Sequence, residues 1–189
     1  RSLGSAESAV TPEFDRASDE LDIVEINSRD AYAETVGFCD GFHAASDGKR
    51  AWLTHCYGTL AVARGMEPDS GNGSSLYVVT GHAPRHLDRN LTVVGRVLTG
   101  IENLSALPRG TGPLGFYESR DQMVEINTIR LGDAVPEGER VNLEVLRTDT
   151  SAFKKHVQSR THSLEEFSVQ RSCHVEICNV NPPVRPASP

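Results

Sequence analysis

The stretch "GHAPRHLDRNLTVVGRV" (residues 81–97) places a dense polar turn between two runs of residues that favour β-structure. The run "SLYVVTGH" (75–82) and the run "LTVVGRVL" (91–98) are rich in β-branched and aromatic residues, which are enriched in strands. Between them lies "APRHLDRN" (83–90), a short polar turn. Because short connections join antiparallel strands, the stretch predicts part of an antiparallel sheet.

Further strands are predicted on both sides of this stretch. "GTLAVA" (58–63) is small, apolar and compatible with a buried strand, and "MVEINTIRLG" (123–132) alternates apolar and polar residues. Two helices are predicted, a short amphipathic one within 99–110 and one that starts after an N-cap at Thr150 or Ser151. Strands outnumber helices, so the predicted class is mainly β, a barrel or sandwich capped by helices.

The ends of the chain carry fewer signals. Residues 1–20 are polar and predict an extended arm, 21–26 alternates like a strand, and the Gly- and Asp-rich residues 37–50 predict a loop. Residues 179–189, "NVNPPVRPASP", predict an extended Pro-rich tail. The sequence starts at Arg1 rather than Met, so we expect that further residues precede it.

Composition excludes several classes of function. The 189 residues suit one domain and carry a formal net charge of -7, which argues against binding nucleic acid or anionic membranes. No apolar run approaches the roughly 20 residues that a membrane span needs. The cysteines match no zinc spacing, and free thiols or one or two disulfides both remain open. These cysteines are Cys39, Cys56, Cys173 and Cys178.

Several motifs together resemble the C-terminal half of a cyclophilin-type peptidyl-prolyl isomerase. Residues 58–65 read "GTLAVARG", and a Gly/Ser/Asn loop leads from them to "GSSLY" (73–77). Leu87 and Asp88 follow in the turn, and "VVGRV" (93–97) then leads into the short helix. The resemblance covers about residues 52–110, and the "GHAPRHLDRN" variant is similar to a bacterial, often exported branch.

This resemblance implies a closed antiparallel β-barrel with capping helices and a peptide groove on its outer face. On this basis residues 1–50 are a loop-rich N-terminal arm, 51–133 are the barrel portion, and 134–189 are a C-terminal extension. The groove would bind proline-containing polypeptides without a cofactor or metal. The positions that match the family's substrate-binding residues are Ala63, Arg64, Gly65, Ser75, Tyr77, His86, Leu87 and Leu91.

Three of these positions also have a plainer interpretation. Tyr77 could be a core aromatic, Arg64 a solvated loop charge, and His86 a turn residue. A hydrolase triad drawn from Ser74, His82 and Asp88 lacks the Gly-x-Ser-x-Gly turn that usually carries the nucleophile.

The catalytic segment of the family has no counterpart in these residues. The family carries its arginine in Phe-His-Arg, whereas Phe42-His43 is followed here by Ala44. The N-terminal half of the barrel is therefore expected upstream of Arg1, as a segment that would complete the barrel. Prolyl isomerisation is the predicted function, and a non-catalytic proline-peptide-binding module or inactive remnant is the alternative. The resemblance implies a periplasmic or otherwise exported protein, with a cytoplasmic location still open.

Overall fold

The computed structural model describes residues 7–162, 168–170 and 172–187, which form three antiparallel sheets. The mainly β class expected from the sequence is confirmed. Of the helices described, none is long and apolar enough to cross a bilayer. The strands are β1 (Arg16–Ala17), β2 (Val24–Glu25), β3 (Thr35–Cys39), β4 (Phe42–Ser46), β5 (Arg50–Leu53), β6 (Thr59–Val62), β7 (Leu76–Val78), β8 (Val93–Arg96), β9 (Leu143–Val145) and β10 (Val184–Pro186), and the helices are α1 (Ile101–Ser105) and α2 (Ser151–Thr161).

The first sheet has the strand order β1-β5-β4-β3-β2 and is centred on the β3–β4 hairpin. Cys39 pairs with Phe42 across Asp40 and Gly41, whose φ angles are 47° and 82°. Two-residue hairpin turns of this kind require positive φ and favour Asp-Gly. The predicted loop over 37–50 is therefore wrong, since Asp-Gly forms only the turn and its neighbours form strands. Residues 1–50, which were predicted to be a loop-rich arm, contain strands β1 to β4 of the first sheet.

The second sheet has the order β7-β6-β8, so the strand at 58–63 lies between the two strands that flank the polar turn. Ala61 pairs with Tyr77 on one side and with Val93 on the other, with a register shift between Leu60 and Ala61. All three strands were predicted, although each is shorter than its apolar run.

The C-terminal extension packs against the first sheet. Helix α2 begins where predicted, and the Thr150 side chain accepts a hydrogen bond from the Phe153 amide at 3.2 Å. Phe153 is 1% exposed and meets Phe38 edge-to-face, with the ring centroids 4.8 Å apart. Residues 134–189 thus supply four of the eight core members. The core consists of Val36, Phe38, Ala45, Trp52, Phe153, Val175, Ile177 and Val180.

A disulfide joins Cys56, immediately before the second sheet, to Cys178 in the extension. Cys39 and Cys173 are free thiols. The sequence left the pairing open because these partners are 122 residues apart, and only the fold brings them together.

The strand predicted at 123–132 is not formed in the described part of the chain. Its alternating apolar residues Val124, Ile126 and Ile129 are 60%, 72% and 78% exposed. Alternation indicates that a segment can cover an apolar face, but a strand also needs a neighbour for its backbone hydrogen bonds. None of the described strands pairs with these residues.

His43 on β4 should make the protein's stability depend on pH between about 6.5 and 4. Its side chain is buried, and Nε2 lies 2.8 Å from the Val180 carbonyl oxygen in the extension. Burial lowers the pKa of His43 from 6.5 to about 4, against the opposing effect of that hydrogen bond and with the help of the Arg96 and Arg85 charges.

The lowered pKa of His43 determines whether stability rises or falls with pH. The unfolded chain takes up the proton first, so the stabilisation is complete above pH 6.5 and is lost as the pH falls towards 4. We expect a loss of about 3 kcal/mol over this window. Urea unfolding at a series of pH values measures this loss. His43→Gln, whose amide can still donate to Val180, should remove most of the dependence of the free energy of unfolding on pH. An unchanged pH dependence in that variant would contradict the assignment.

Candidate functional site

The ends of the three strands of the second sheet converge at one edge of the molecule. Ala63 follows β6, and its N–H donates to the Ser75 carbonyl just before β7 at 2.9 Å. On the other side, the Val62 N–H donates to the Thr92 carbonyl at 2.9 Å, next to Leu91 and just before β8. Three of the predicted site positions, far apart in sequence, therefore share one end of the sheet.

Arg64 ties the loop after β6 to the polar turn. Its Nε donates to the Asn90 carbonyl at 2.9 Å, and Nη1 donates to the carbonyls of Gly65 and Met66 at 2.9 and 3.1 Å. The guanidinium also lies over the Phe14 ring, 5.6 Å from its centroid. The guanidinium is thus held by three carbonyls and an aromatic ring.

The polar turn forms the neighbouring wall through a single 3-10 turn at Arg85–Leu87. The Leu87 N–H donates to the Pro84 carbonyl at 2.8 Å, and the Asn90 side chain donates to the His86 carbonyl at 3.3 Å. His86 is exposed and Leu87 is half-buried. The backbone of the turn is therefore fixed while the His86 ring faces solvent.

Tyr77 connects this edge to a buried polar chain. Its hydroxyl lies 2.7 Å from His55 Nε2, and His55 Nδ1 lies 3.1 Å from Asp88 Oδ1. Burial, together with the Asp88 charge, raises the pKa of Tyr77 to about 12. Since the Asp88 carboxylate only accepts, Nδ1–H donates to it, and the other ring nitrogen, Nε2, is the partner of the Tyr77 hydroxyl. The Tyr77 hydroxyl is thereby held in one orientation.

A groove of about 590 Å³ runs between the N-terminal arm and this end of the sheet. The arm is anchored beside it, because the Asn72 side chain donates to the Ser8 carbonyl at 3.2 Å. Residues from both sides line the groove, among them Val10, Pro12, Phe14, Val62, Arg64 and Thr92.

The sequence reasoning gave no role to His55, Arg85 or the arm. Asp88 carried a signal, as part of the Leu-Asp motif, but its buried partners come from distant residues. Its carboxylate accepts from His55, from Arg85 Nε at 2.6 Å and from Trp52 Nε1 at 3.3 Å, which leaves no role for it in a triad with His82. No cluster of potential metal ligands occurs among residues 7–162, 168–170 and 172–187.

Residues 9–130 match the family model described as cyclophilin type peptidyl-prolyl cis-trans isomerase/CLD. The chain belongs to this family. The match begins well before the quoted motifs, so the first sheet lies largely within the cyclophilin homology. The structure of this chain is similar to the crystal structure of cyclophilin AquaCyp293 from Hirschia baltica, with a TM-score of 0.61 and 20% sequence identity. That similarity covers 88% of this chain and 64% of AquaCyp293. No curated protein sequence matches this cyclophilin.

Proposed function

We propose that the protein accelerates cis–trans exchange at X-Pro bonds of polypeptides and so assists protein folding. The observation that carries the proposal is the convergence of Ala63, Ser75 and Leu91 at one end of the second sheet, beside the His86–Leu87 wall. Membership of the cyclophilin-type family supports the proposal. The chain spans 64% of the length of AquaCyp293, so the activity is proposed for the whole protein.

The reaction needs neither a nucleophile nor a metal. Rotation about the peptide C–N bond breaks amide resonance, against a barrier of about 18–20 kcal/mol. An apolar surface for the pyrrolidine ring and backbone groups for the flanking peptide hold the substrate. A donor aimed at the proline nitrogen then stabilises the twisted state more than the planar one. Half-buried Leu87 and Leu91 offer apolar surface, and the loop 63–65 offers backbone groups.

The donor is proposed to be an arginine outside these 189 residues. Arg64 lies in the loop that follows β6, but its nitrogens already donate to the carbonyls of Asn90, Gly65 and Met66. A preceding segment that carries the arginine would also supply a strand partner for residues 123–131, whose apolar side chains are exposed. The alternative, a non-catalytic proline-peptide-binding module, is favoured by the absence of Phe-His-Arg from this sequence.

A pair of histidine variants tests the proposed site. In the whole protein, we expect His86→Ala to lower kcat/KM for X-Pro exchange by about three- to tenfold, because an aromatic wall contact is worth about 0.5–1.5 kcal/mol. His82→Ala is the matched control, since His82 is also exposed and lies in the same connection. Exchange NMR on a proline peptide measures both rates. Peptide binding without faster exchange would support the module, and equal effects of both variants would contradict the site.

We also propose that the protein works in an oxidising compartment such as the periplasm. The support is the disulfide between Cys56 and Cys178, because disulfides persist mainly in oxidising environments. Alkylation of the native protein with and without prior reduction tests this: a protein isolated with both thiols free would contradict it.

A further inference from the structure

A buried arginine lies directly behind the wall of the site. Arg85 begins the 3-10 turn that contains His86 and Leu87, and its side chain is 7% exposed. Its Nη1 and Nη2 lie 2.6 and 3.1 Å from the two carboxylate oxygens of Asp30. The guanidinium also lies over the ring of Tyr32, 5.2 Å from its centroid. Arg85 is therefore held by the segment that precedes β3, outside the second sheet.

The same guanidinium reaches the buried polar chain. Arg85 Nε donates to Asp88 Oδ2 at 2.6 Å, and Asp88 Oδ1 accepts from the His55 backbone N–H at 2.8 Å and from its Nδ1 at 3.1 Å. His55 Nε2 in turn lies 2.7 Å from the Tyr77 hydroxyl. One buried cation is thus shared by two carboxylates. A continuous path of hydrogen bonds runs from Asp30 to Tyr77, and its contacts are charge-assisted as far as His55.

We propose that Asp30 is a positioning residue for the peptide site. Through the bidentate contact with Arg85 it fixes the tilt of the His86–Leu87 turn. Through Asp88 and His55 it fixes the Tyr77 hydroxyl. This inference rests on the proposed function of the site, and it assigns to the segment before β3 control over how tightly the site holds a peptide.

The consequence of losing Asp30 follows from the surroundings of Arg85. Without that carboxylate, the buried guanidinium keeps Asp88 as its one anionic contact in the described part of the chain. A buried cation with half its partners removed must turn towards solvent or draw Asp88 with it. Both movements displace the turn, because the Asp88 N–H donates to the Arg85 carbonyl at 3.0 Å.

The kinetic test separates positioning from plain destabilisation. In the whole protein, we expect Asp30→Asn to raise KM for a proline peptide about tenfold, with kcat changed less than about twofold, because wall contacts act on ground state and transition state alike. Asp30→Glu should recover most of the affinity. A variant that only unfolds more readily would lower kcat per mole of protein and leave KM unchanged.

Asp149→Asn is the matched control. Asp149 also pairs with an arginine, Arg147, but the two side chains are 51% and 79% exposed and lie outside the site. We expect its KM to stay within about twofold of the original, since exposed ion pairs contribute little. An equal rise in KM for both variants, or none for Asp30→Asn, overturns the proposal.

NMR chemical shifts test the positioning role of Asp30 without any measurement of catalysis. Trp52 donates its indole N–H to Asp88 at 3.3 Å, so its NMR resonance reports the position of that carboxylate. We expect this resonance and the amide signals of Tyr77 and His86 to shift in Asp30→Asn and to stay in place in Asp149→Asn. If the unmodified protein shows no X-Pro exchange, the proposed function fails. The resonance shifts in Asp30→Asn still show whether Asp30 fixes the positions of the turn and of Tyr77. Unmoved resonances in Asp30→Asn overturn it.

Discussion

Replacing Phe153 with alanine is expected to cost about 3–5 kcal/mol of folding free energy, the usual cost of removing a fully buried phenylalanine. The ring is 1% exposed and packs edge-to-face on Phe38, so its removal leaves a cavity between helix α2 and the first sheet. This is a large share of the stability of a typical domain, about 5–15 kcal/mol. Urea unfolding followed by circular dichroism measures the loss.

Phe116→Ala is the control for this prediction. Phe116 is 69% exposed, so we expect its loss to change the free energy of unfolding by less than about 0.5 kcal/mol. A small effect of Phe153→Ala would mean that α2 does not dock on the sheet in solution. The extension would then have no part in the core.

Replacing Cys178 with serine is expected to cost about 2–5 kcal/mol, the range for the loss of a native disulfide. The bridge closes a loop over a sequence separation of 122 residues, and a longer loop leaves the unfolded chain with more freedom once it is cut. A chemical melt with and without reductant should show the same difference for the unmodified protein. The serine variant should respond to reductant much less.

Cys173→Ser provides the matched control, because Cys173 is a free, exposed thiol only a few residues away. We expect it to leave the midpoint of unfolding unchanged. If both variants lose the same stability, the bridge does not stabilise the fold, or the cysteines pair differently in solution. Peptide mapping without reduction distinguishes these two explanations.

The second sheet could be predicted because its signals are local. β6, β7 and β8 each carry their own apolar run, and the family motifs identify the turn between them. The hairpin at Asp40–Gly41 could also have been predicted, since Asp-Gly is a strong turn signal. The surrounding glycines and aspartates instead suggested a loop. At 123–132 the alternation was real, and the error lay in assuming a neighbouring strand.

The parts of the site that could not be predicted depend on contacts between distant residues. Asp30 and Arg85 are 55 positions apart, and His55 and Tyr77 are 22 apart. No spacing rule identifies which carboxylate a buried arginine will meet. The role of residues 134–189 stayed open for the same reason, because Phe153 looks like any apolar residue on a short helix until its contact with Phe38 is known.

The separation of Cys56 and Cys178 also has a kinetic side. A ribosome that adds about 5–20 residues per second needs roughly 6–24 s to reach Cys178 after it has made Cys56. During that interval Cys39, only 17 positions earlier in the sequence, is the nearest thiol that Cys56 can meet. Correct oxidation therefore depends on holding Cys56 reduced, or on exchanging an early wrong bridge, until the extension has been synthesised and has docked on the first sheet.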